Sequence, residues 1–140
     1  MDLNDFFGPK PIVIDLHAES RWEAIDELIN RLAANHKIKT EHRDAIAASV
    51  RKRESSMSTG IGFGIALPHA STDLISEVVG AVGRSRKGLQ FDAVDGKPVN
   101  LVMLFLVPQD EFQKHLHTLA NIAKLLHNDD FRDGLRRRFE

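Results

Sequence analysis

Apolar residues recur at helical spacing in two stretches of the first sixty residues. From residue 21 to about residue 35 they repeat every three or four positions, which predicts an amphipathic helix. Ser20 and Glu23 form a capping box at its start, with Ser20 as the N-cap and Glu23 at position N3. A shorter apolar stripe follows Thr40. We predict a second helix there, with Thr40 as its N-cap and its end within residues 51–56.

The last third of the chain predicts two further helices. The longer runs from about Glu111 to His127, and a shorter one covers residues 130–138. Residues two apart on a helix do not share a face, so we expect His115 to point inward from the edge of the buried stripe and His117 to face solvent. The predicted stripe consists of Leu116, Leu119, Ala120, Ile122, Ala123 and Leu126.

Short apolar runs between these helices predict strands. Residues 11–16 begin at a proline, residues 77–84 are strand-like, and residues 101–107 are apolar at every position. A continuous apolar run of that kind is typical of a central strand buried on both faces. Alternating strands and helices favour an α/β fold. We predict a mixed β-sheet of about five strands, flanked by helices on both faces, in a single layered domain over residues 1–140.

Three glycines alternate at positions 60, 62 and 64, and the apolar run that follows ends in Pro68-His69. Glycine permits a close approach of backbones that a Cβ would block. Proline favours extended geometry at the residue before it, so we expect a strand that ends there and presents His69. A neutral imidazole is a competent nucleophile for proton or phosphoryl transfer. The alternative is a glycine-rich loop followed by an ordinary surface histidine.

Composition narrows the classes of function. The 140 residues are 42% hydrophobic and 28% charged, with a formal net charge of −1, which gives no electrostatic reason to expect nucleic acid or an acidic membrane as a partner. Cysteine is absent, which excludes disulfides, thiolate metal ligands and a cysteine nucleophile. No apolar run approaches the ~18 residues of a membrane-spanning helix, and no basic segment marks a signal peptide. We therefore expect a cytoplasmic protein without direct membrane insertion.

Three kinds of chemistry can be tested against the glycine segment. The dinucleotide-binding motif G-x-G-x-x-G is not matched, because Ile65 stands where the third glycine would be. A P-loop is not matched either, because no Lys-Ser/Thr pair follows Gly64. No cofactor is therefore predicted. A metal-dependent hydrolase would need His69, His115 and an unidentified carboxylate. It is a remote alternative, and no metal is predicted. Phosphoryl transfer needs a cation for the phosphoryl oxygens. The candidate is Arg53, sixteen residues before His69, unless it belongs only to a solvated charged run.

These residues together resemble a known family, the IIA domain of the fructose/mannitol class of the bacterial phosphoenolpyruvate:sugar phosphotransferase system. The likeness is nearest to its nitrogen-regulatory branch and covers nearly the whole chain. The segments that carry it are Arg53-Glu54, Ser58 to Gly62, Gly64 to His69, His115-Leu116, Phe91 to Val99 and Leu104 to Pro108.

The resemblance implies a role for each candidate residue. His69 would accept a phosphoryl group from the small carrier HPr or its nitrogen-branch counterpart. Arg53 would stabilise the phosphate, His115 would be the second histidine lying against the first, and Thr59 would give support. The group would pass to a IIB protein, or the phosphorylation state would itself be a regulatory signal without onward transfer.

The sequence departs from the family pattern in three places, one of which is conservative, with Leu67 where Ile is usual. Phe63 stands where relatives often carry a polar residue, so recognition of the partner is expected to differ. The sequence ends at Glu140, where many relatives continue into another helix, so one edge of the domain is expected to be less covered. We expect no attached IIB or membrane domain, so that any cysteine acceptor would belong to another protein.

Overall fold

A computed structural model describes residues 12–139, so the first residue of the predicted strand 11–16 lies outside it. The described chain forms six strands and four α-helices. The strands are β1 (Ile12–Asp15), β2 (Gly60–Gly62), β3 (Ile65–Ala66), β4 (His69–Thr72), β5 (Val79–Leu89) and β6 (Val99–Pro108). The helices are α1 (Arg21–Ala34), α2 (Arg43–Ser56), α3 (Phe112–Leu125) and α4 (Asp129–Arg138). Short 3₁₀ turns at Thr40–His42 and Gln109–Glu111 precede α2 and α3.

The six strands form one mixed sheet, which confirms the predicted fold class. Its order is β1-β5-β6-β3-β2, and β4 also pairs with β6. The pairs β1/β5, β3/β6 and β4/β6 are parallel, whereas β5/β6 and β2/β3 are antiparallel. The sheet has six strands where about five were predicted, because the glycine segment folds into a hairpin of its own, β2 and β3.

Strand β6 is the centre of the sheet and is buried on both faces, as predicted. Alternate side chains of a strand point to opposite faces. Val102, Leu104 and Leu106 pack in the cluster that contains the buried residues of α1 and α2. Leu101, Met103 and Phe105 pack in the cluster that contains those of α3 and α4. Helices therefore cover both faces of the sheet.

Helix α1 begins where the capping box predicts. The Ser20 side chain accepts a hydrogen bond from the Glu23 backbone N–H at 3.1 Å, which satisfies one of the unpaired donors of the first turn. The side chain of Glu23 turns back and accepts from the Glu19 backbone N–H at 2.9 Å. Both contacts are local, which explains why the sequence pattern was sufficient.

Two local predictions are wrong. Thr40 is not the N-cap of α2, because residues Thr40–His42 form a 3₁₀ turn and the α-helix begins only at Arg43. Leu116 and Ala120 are exposed, Leu116 at 42%. The buried side of α3 itself consists of His115, Leu119 and Ile122, a stripe narrower than the apolar pattern suggested.

Candidate functional site

His69 is the first residue of β4 and lies beside the centre of the sheet. It pairs with Phe105 of β6, and the preceding strand β3 pairs with the same strand further back. Leu67 and Pro68 lie between β3 and β4. His69 therefore starts a new strand after the proline instead of ending the apolar run, but the proline still fixes the backbone that carries it.

The imidazole of His69 has a defined tautomer. Its Nδ1 lies 2.8 Å from the backbone carbonyl oxygen of Leu67. A carbonyl oxygen can only accept a hydrogen bond, so the proton lies on Nδ1 and the lone pair on Nε2. Burial lowers the pKa of His69 and the nearby Arg53 charge lowers it further, while the Leu67 hydrogen bond and Glu54 act in the opposite direction. The ring is therefore neutral near pH 7, with Nε2 available as a nucleophile.

Arg53 is brought to His69 by the last turn of α2. The helix packs against β4, and its C-terminal turn carries Arg53. One guanidinium nitrogen, Nη1, donates to the backbone carbonyl of Met57 at 2.8 Å, which holds the side chain at the start of the glycine segment. The charge of Arg53 acts on the His69 ring, so the structure places the two predicted residues in one electrostatic environment.

Sequence reasoning missed the part played by Glu54, which it quoted only as a neighbour of Arg53. The Glu54 side chain is buried, with 1% of the residue exposed. Its carboxylate accepts from the Thr59 backbone N–H at 2.8 Å and from the Thr59 hydroxyl at 2.5 Å. The sequence did contain a signal, because Ile46, Val50 and Glu54 follow each other at intervals of four, and the first two are buried.

Thr59 is thus buried and turned toward Glu54, with 6% of the residue exposed. Arg21 completes this network from α1. Its Nη1 lies 3.7 Å from a Glu54 carboxylate oxygen and donates to the Phe91 backbone carbonyl at 3.1 Å. The neighbouring Ser58 hydroxyl also donates to the Phe91 carbonyl. Side chains of α1 and α2 therefore hold the segment that leads into β2.

His115 lies on α3 and is buried, with 6% of the residue exposed. Its Nε2 is 3.2 Å from a carboxylate oxygen of Glu111, one turn earlier. Ala70 packs with the cluster on the side of α1 and α2, so strand alternation places His69 on the other face, which α3 covers. Both histidines thus belong to one face of the sheet, and Arg53 approaches from α2. His117 is exposed, as predicted.

Phe63 lies at the turn between β2 and β3, where its φ is 60°, an uncommon conformation for a bulky residue. The Arg132 guanidinium lies 3.9 Å from the centre of its ring, and the His127 ring meets it edge-on with 5.3 Å between centroids. Phe63, which departs from the family pattern, is therefore held by contacts with Arg132 of α4 and His127 of the turn before α4. Even so, 39% of the residue is exposed.

Two further observations concern residues 12–139 as a whole. They contain no group of three or more His, Asp or Glu side chains placed to hold a metal ion, so the hydrolase alternative gains no support from the arrangement of side chains. None of their helices has both the length and the apolar character needed to cross a bilayer.

The chain is similar to known proteins in both sequence and structure. Residues 5–139 match the family model described as phosphoenolpyruvate-dependent sugar phosphotransferase system, EIIA 2. The chain is 39% identical over 97 residues to the PTS system fructose-specific EIIA component of Haloferax volcanii, covering 69% of this chain and 63% of that protein. It is 31% identical over 136 residues to a nitrogen regulatory protein of Bradyrhizobium diazoefficiens, covering 97% and 87% respectively.

Among solved structures, the nitrogen regulatory protein IIA-Ntr of Neisseria meningitidis superposes with a TM-score of 0.76 at 31% sequence identity. The superposition covers 89% of this chain and 83% of that one.

Proposed function

Because the chain belongs to the EIIA 2 family of the phosphoenolpyruvate-dependent sugar phosphotransferase system, we propose that it carries a phosphoryl group on Nε2 of His69. The observation that carries this proposal is the state of the ring. A hydrogen bond to Leu67 holds the proton on Nδ1, and burial together with Arg53 keeps the ring neutral. A nucleophilic nitrogen and a cation for the incoming anion are thereby present at one position.

The transfer step follows from that geometry. The Nε2 lone pair attacks the phosphorus of a donor phosphohistidine, a new N–P bond forms, and the N–P bond of the donor breaks. The bonding electron pair returns to the donor imidazole. Preorganised positive charge stabilises the phosphoryl oxygens in such a step, and the Arg53 guanidinium supplies it. Thr59 supports the site through the backbone it anchors, since its hydroxyl is engaged by Glu54.

His115 is assigned to the same site as the second histidine. Its position on α3, on the face of the sheet that also carries His69, supports the assignment. Glu111 orients its ring through the contact to Nε2. A histidine held by a carboxylate is restricted in the tautomer it presents, and this restriction suits a group that packs against a phosphorylated ring.

Membership of the family supports a proposal for the partners. We propose an HPr-type carrier or its nitrogen-branch counterpart as the donor, and a IIB protein or a regulatory target protein as the partner of the phosphorylated form. The 140 residues contain no cysteine, so an acceptor thiol would lie outside them.

Phosphorylation can be tested with phosphoenolpyruvate and the two upstream phosphotransferase proteins. The purified protein is incubated with them and its intact mass is measured. We expect an acid-labile gain of one phosphate. No gain, with an established family member phosphorylated in parallel, would reject the proposal.

A regulatory role is the second candidate, and the relatives named nitrogen regulatory protein favour it. A phosphoryl group adds about −1.5 to −2 charges, which would change the binding surface around His69 without refolding. The phosphorylated protein is mixed with a IIB protein encoded in the same genome. Loss of the phosphate to IIB indicates a carrier, whereas full retention indicates a regulator.

A further inference from the structure

We propose that Glu54 is a positioning residue for His69, which holds the tautomer and orientation of the ring through Thr59 and Leu67. The inference rests on the proposed function of His69 as the phosphoryl acceptor. Glu54 does not bind the phosphoryl group itself in this proposal, because its carboxylate is buried and already accepts two hydrogen bonds from Thr59.

The burial of Glu54 is costly and is compensated by specific contacts. Among residues 12–139 it is the only buried Asp, Glu, Lys or Arg. An ionised carboxylate loses much solvation free energy in such a place unless hydrogen bonds and an opposite charge replace the water. Both bonds to Thr59 and the Arg21 guanidinium provide them. A buried charge satisfied in this way holds its partners in one geometry.

A continuous series of hydrogen bonds runs from Glu54 to His69. The carboxylate accepts from the backbone N–H of Thr59. The carbonyl of the same residue accepts from the backbone N–H of Leu67 at 3.0 Å, and the carbonyl of Leu67 accepts from Nδ1 of His69 at 2.8 Å. Each bond uses a different group, so a shift of Thr59 moves the carbonyl that determines which ring nitrogen is protonated.

The negative charge of Glu54 also acts on the His69 ring directly. A ring that carries a phosphoryl group on Nε2 and a proton on Nδ1 is cationic. The negative charge of Glu54 favours positive charge on this ring, while burial and Arg53 disfavour it. Glu54 therefore supports the phosphorylated form of His69 as well as its starting tautomer.

The test is the variant Glu54→Gln, which keeps the shape of the side chain but removes its charge and replaces one acceptor with a donor. Two quantities are measured: the rate of phosphorylation by the phosphorylated HPr-type donor, and the tautomer of His69 by nitrogen-15 NMR of its ring. Glu41→Gln, at an exposed position before α2, is the matched control.

We expect the wild-type protein and Glu41→Gln to show a single tautomer protonated on Nδ1 and equal rates. In Glu54→Gln we expect a mixture of tautomers and a rate about ten- to a hundredfold lower, the range typical of small errors in position. A Glu54→Gln protein with the wild-type tautomer would overturn the proposal, whatever its rate.

A second variant covers the case in which Glu54→Gln does not fold. Glu54→Asp keeps the charge but is one methylene shorter, so it cannot hold Thr59 in its present position through the same two bonds. A tautomer mixture in this variant supports the proposal, and the wild-type tautomer overturns it. The tautomer is observable without phosphorylation, so if the wild-type protein takes up no phosphate, the proposed function fails while the role of Glu54 is still decided.

Discussion

Two regions along β6 contain arginine side chains, and only one of them contains a histidine. Near the end of the strand, the charge of Arg53 acts on His69, the partner of Phe105. Near its start, a cavity of about 420 Å³ is lined by several residues, none of them histidine. These are Asp15, Arg84, Ser85, Arg86, Asn100, Leu101, Arg136 and Phe139.

Two arginines of the cavity, Arg84 and Arg136, form hydrogen bonds with distant parts of the chain. Arg84 donates to the Asp15 carboxylate and to the Phe139 backbone carbonyl, both at 3.0 Å. Arg136 donates to the Asn100 side-chain carbonyl at 2.9 Å and to the Phe63 backbone carbonyl at 2.5 Å. The cavity therefore offers positive charge without an imidazole that could accept a phosphoryl group. The His69 region differs because it contains an imidazole, and the Leu67 backbone carbonyl holds the proton of this ring on Nδ1.

The largest expected effect is the loss of that nitrogen. His69→Ala should abolish phosphorylation, because the nucleophile is removed and the cation remains. Intact mass after incubation with phosphoenolpyruvate and the upstream proteins measures it. His117→Ala, an exposed position on α3, is the control and should take up one phosphate as the wild type does. A phosphate gain in His69→Ala equal to that of the control would show that another residue accepts the group.

Removal of the cation should have the next largest effect. Arg53→Ala should slow phosphorylation about ten- to a thousandfold while the fold is retained, since one electrostatic contact to a transition state typically contributes that much. Arg53→Lys should recover part of the rate, because it restores the charge without the planar fork. Arg86→Ala in the cavity is the control. Equal rates in Arg53→Ala and Arg86→Ala would remove the distinction between the two regions.

A smaller effect is expected from the pH dependence of the His69 ring, which the cavity lacks. The pKa of His69 is lowered from its ordinary value of 6.5, so the unfolded chain binds the proton more tightly than the folded protein. The stability linked to this ring is fully present above pH 6.5 and is lost as the pH falls through the lower, folded value. An NMR titration of the His69 ring should show its midpoint below 6.5. A midpoint at or above 6.5 would contradict the proposed neutral nucleophile.

The smallest effect is expected in the cavity. Arg136→Ala should leave the phosphorylation rate within about twofold but lower the free energy of unfolding by about 1–2 kcal/mol, because two hydrogen bonds are lost and each typically contributes about 1 kcal/mol. Denaturation with urea measures the stability, and the mass assay measures the rate. A rate loss comparable to that of Arg53→Ala would mean that the hairpin held at Phe63 contributes to the site at His69.

Much of the fold could be predicted because its signals are local. The capping box and the apolar periodicity of α1 involve residues at most one or two turns apart, and each turn of the helix repeats the information. The unbroken apolar run of β6 similarly reports that both faces of one strand are buried. The mixed sheet with helices on both faces follows from such elements in sequence. Thr40 failed as a cap because a 3₁₀ turn can begin with the same residue.

The candidate site was predicted only in its parts. Arg53 and His69 could be named from the chain, and their residue types indicated the chemistry. The tautomer of His69 and the burial of Glu54 could not be, and the placement of His115 beside His69 was predicted only through the family resemblance. They depend on parallel pairing between strands more than thirty residues apart and on a helix end that meets a hairpin. Residue types determine what groups can react, whereas the proton on His69 is assigned by a carbonyl that only the folded backbone brings to it.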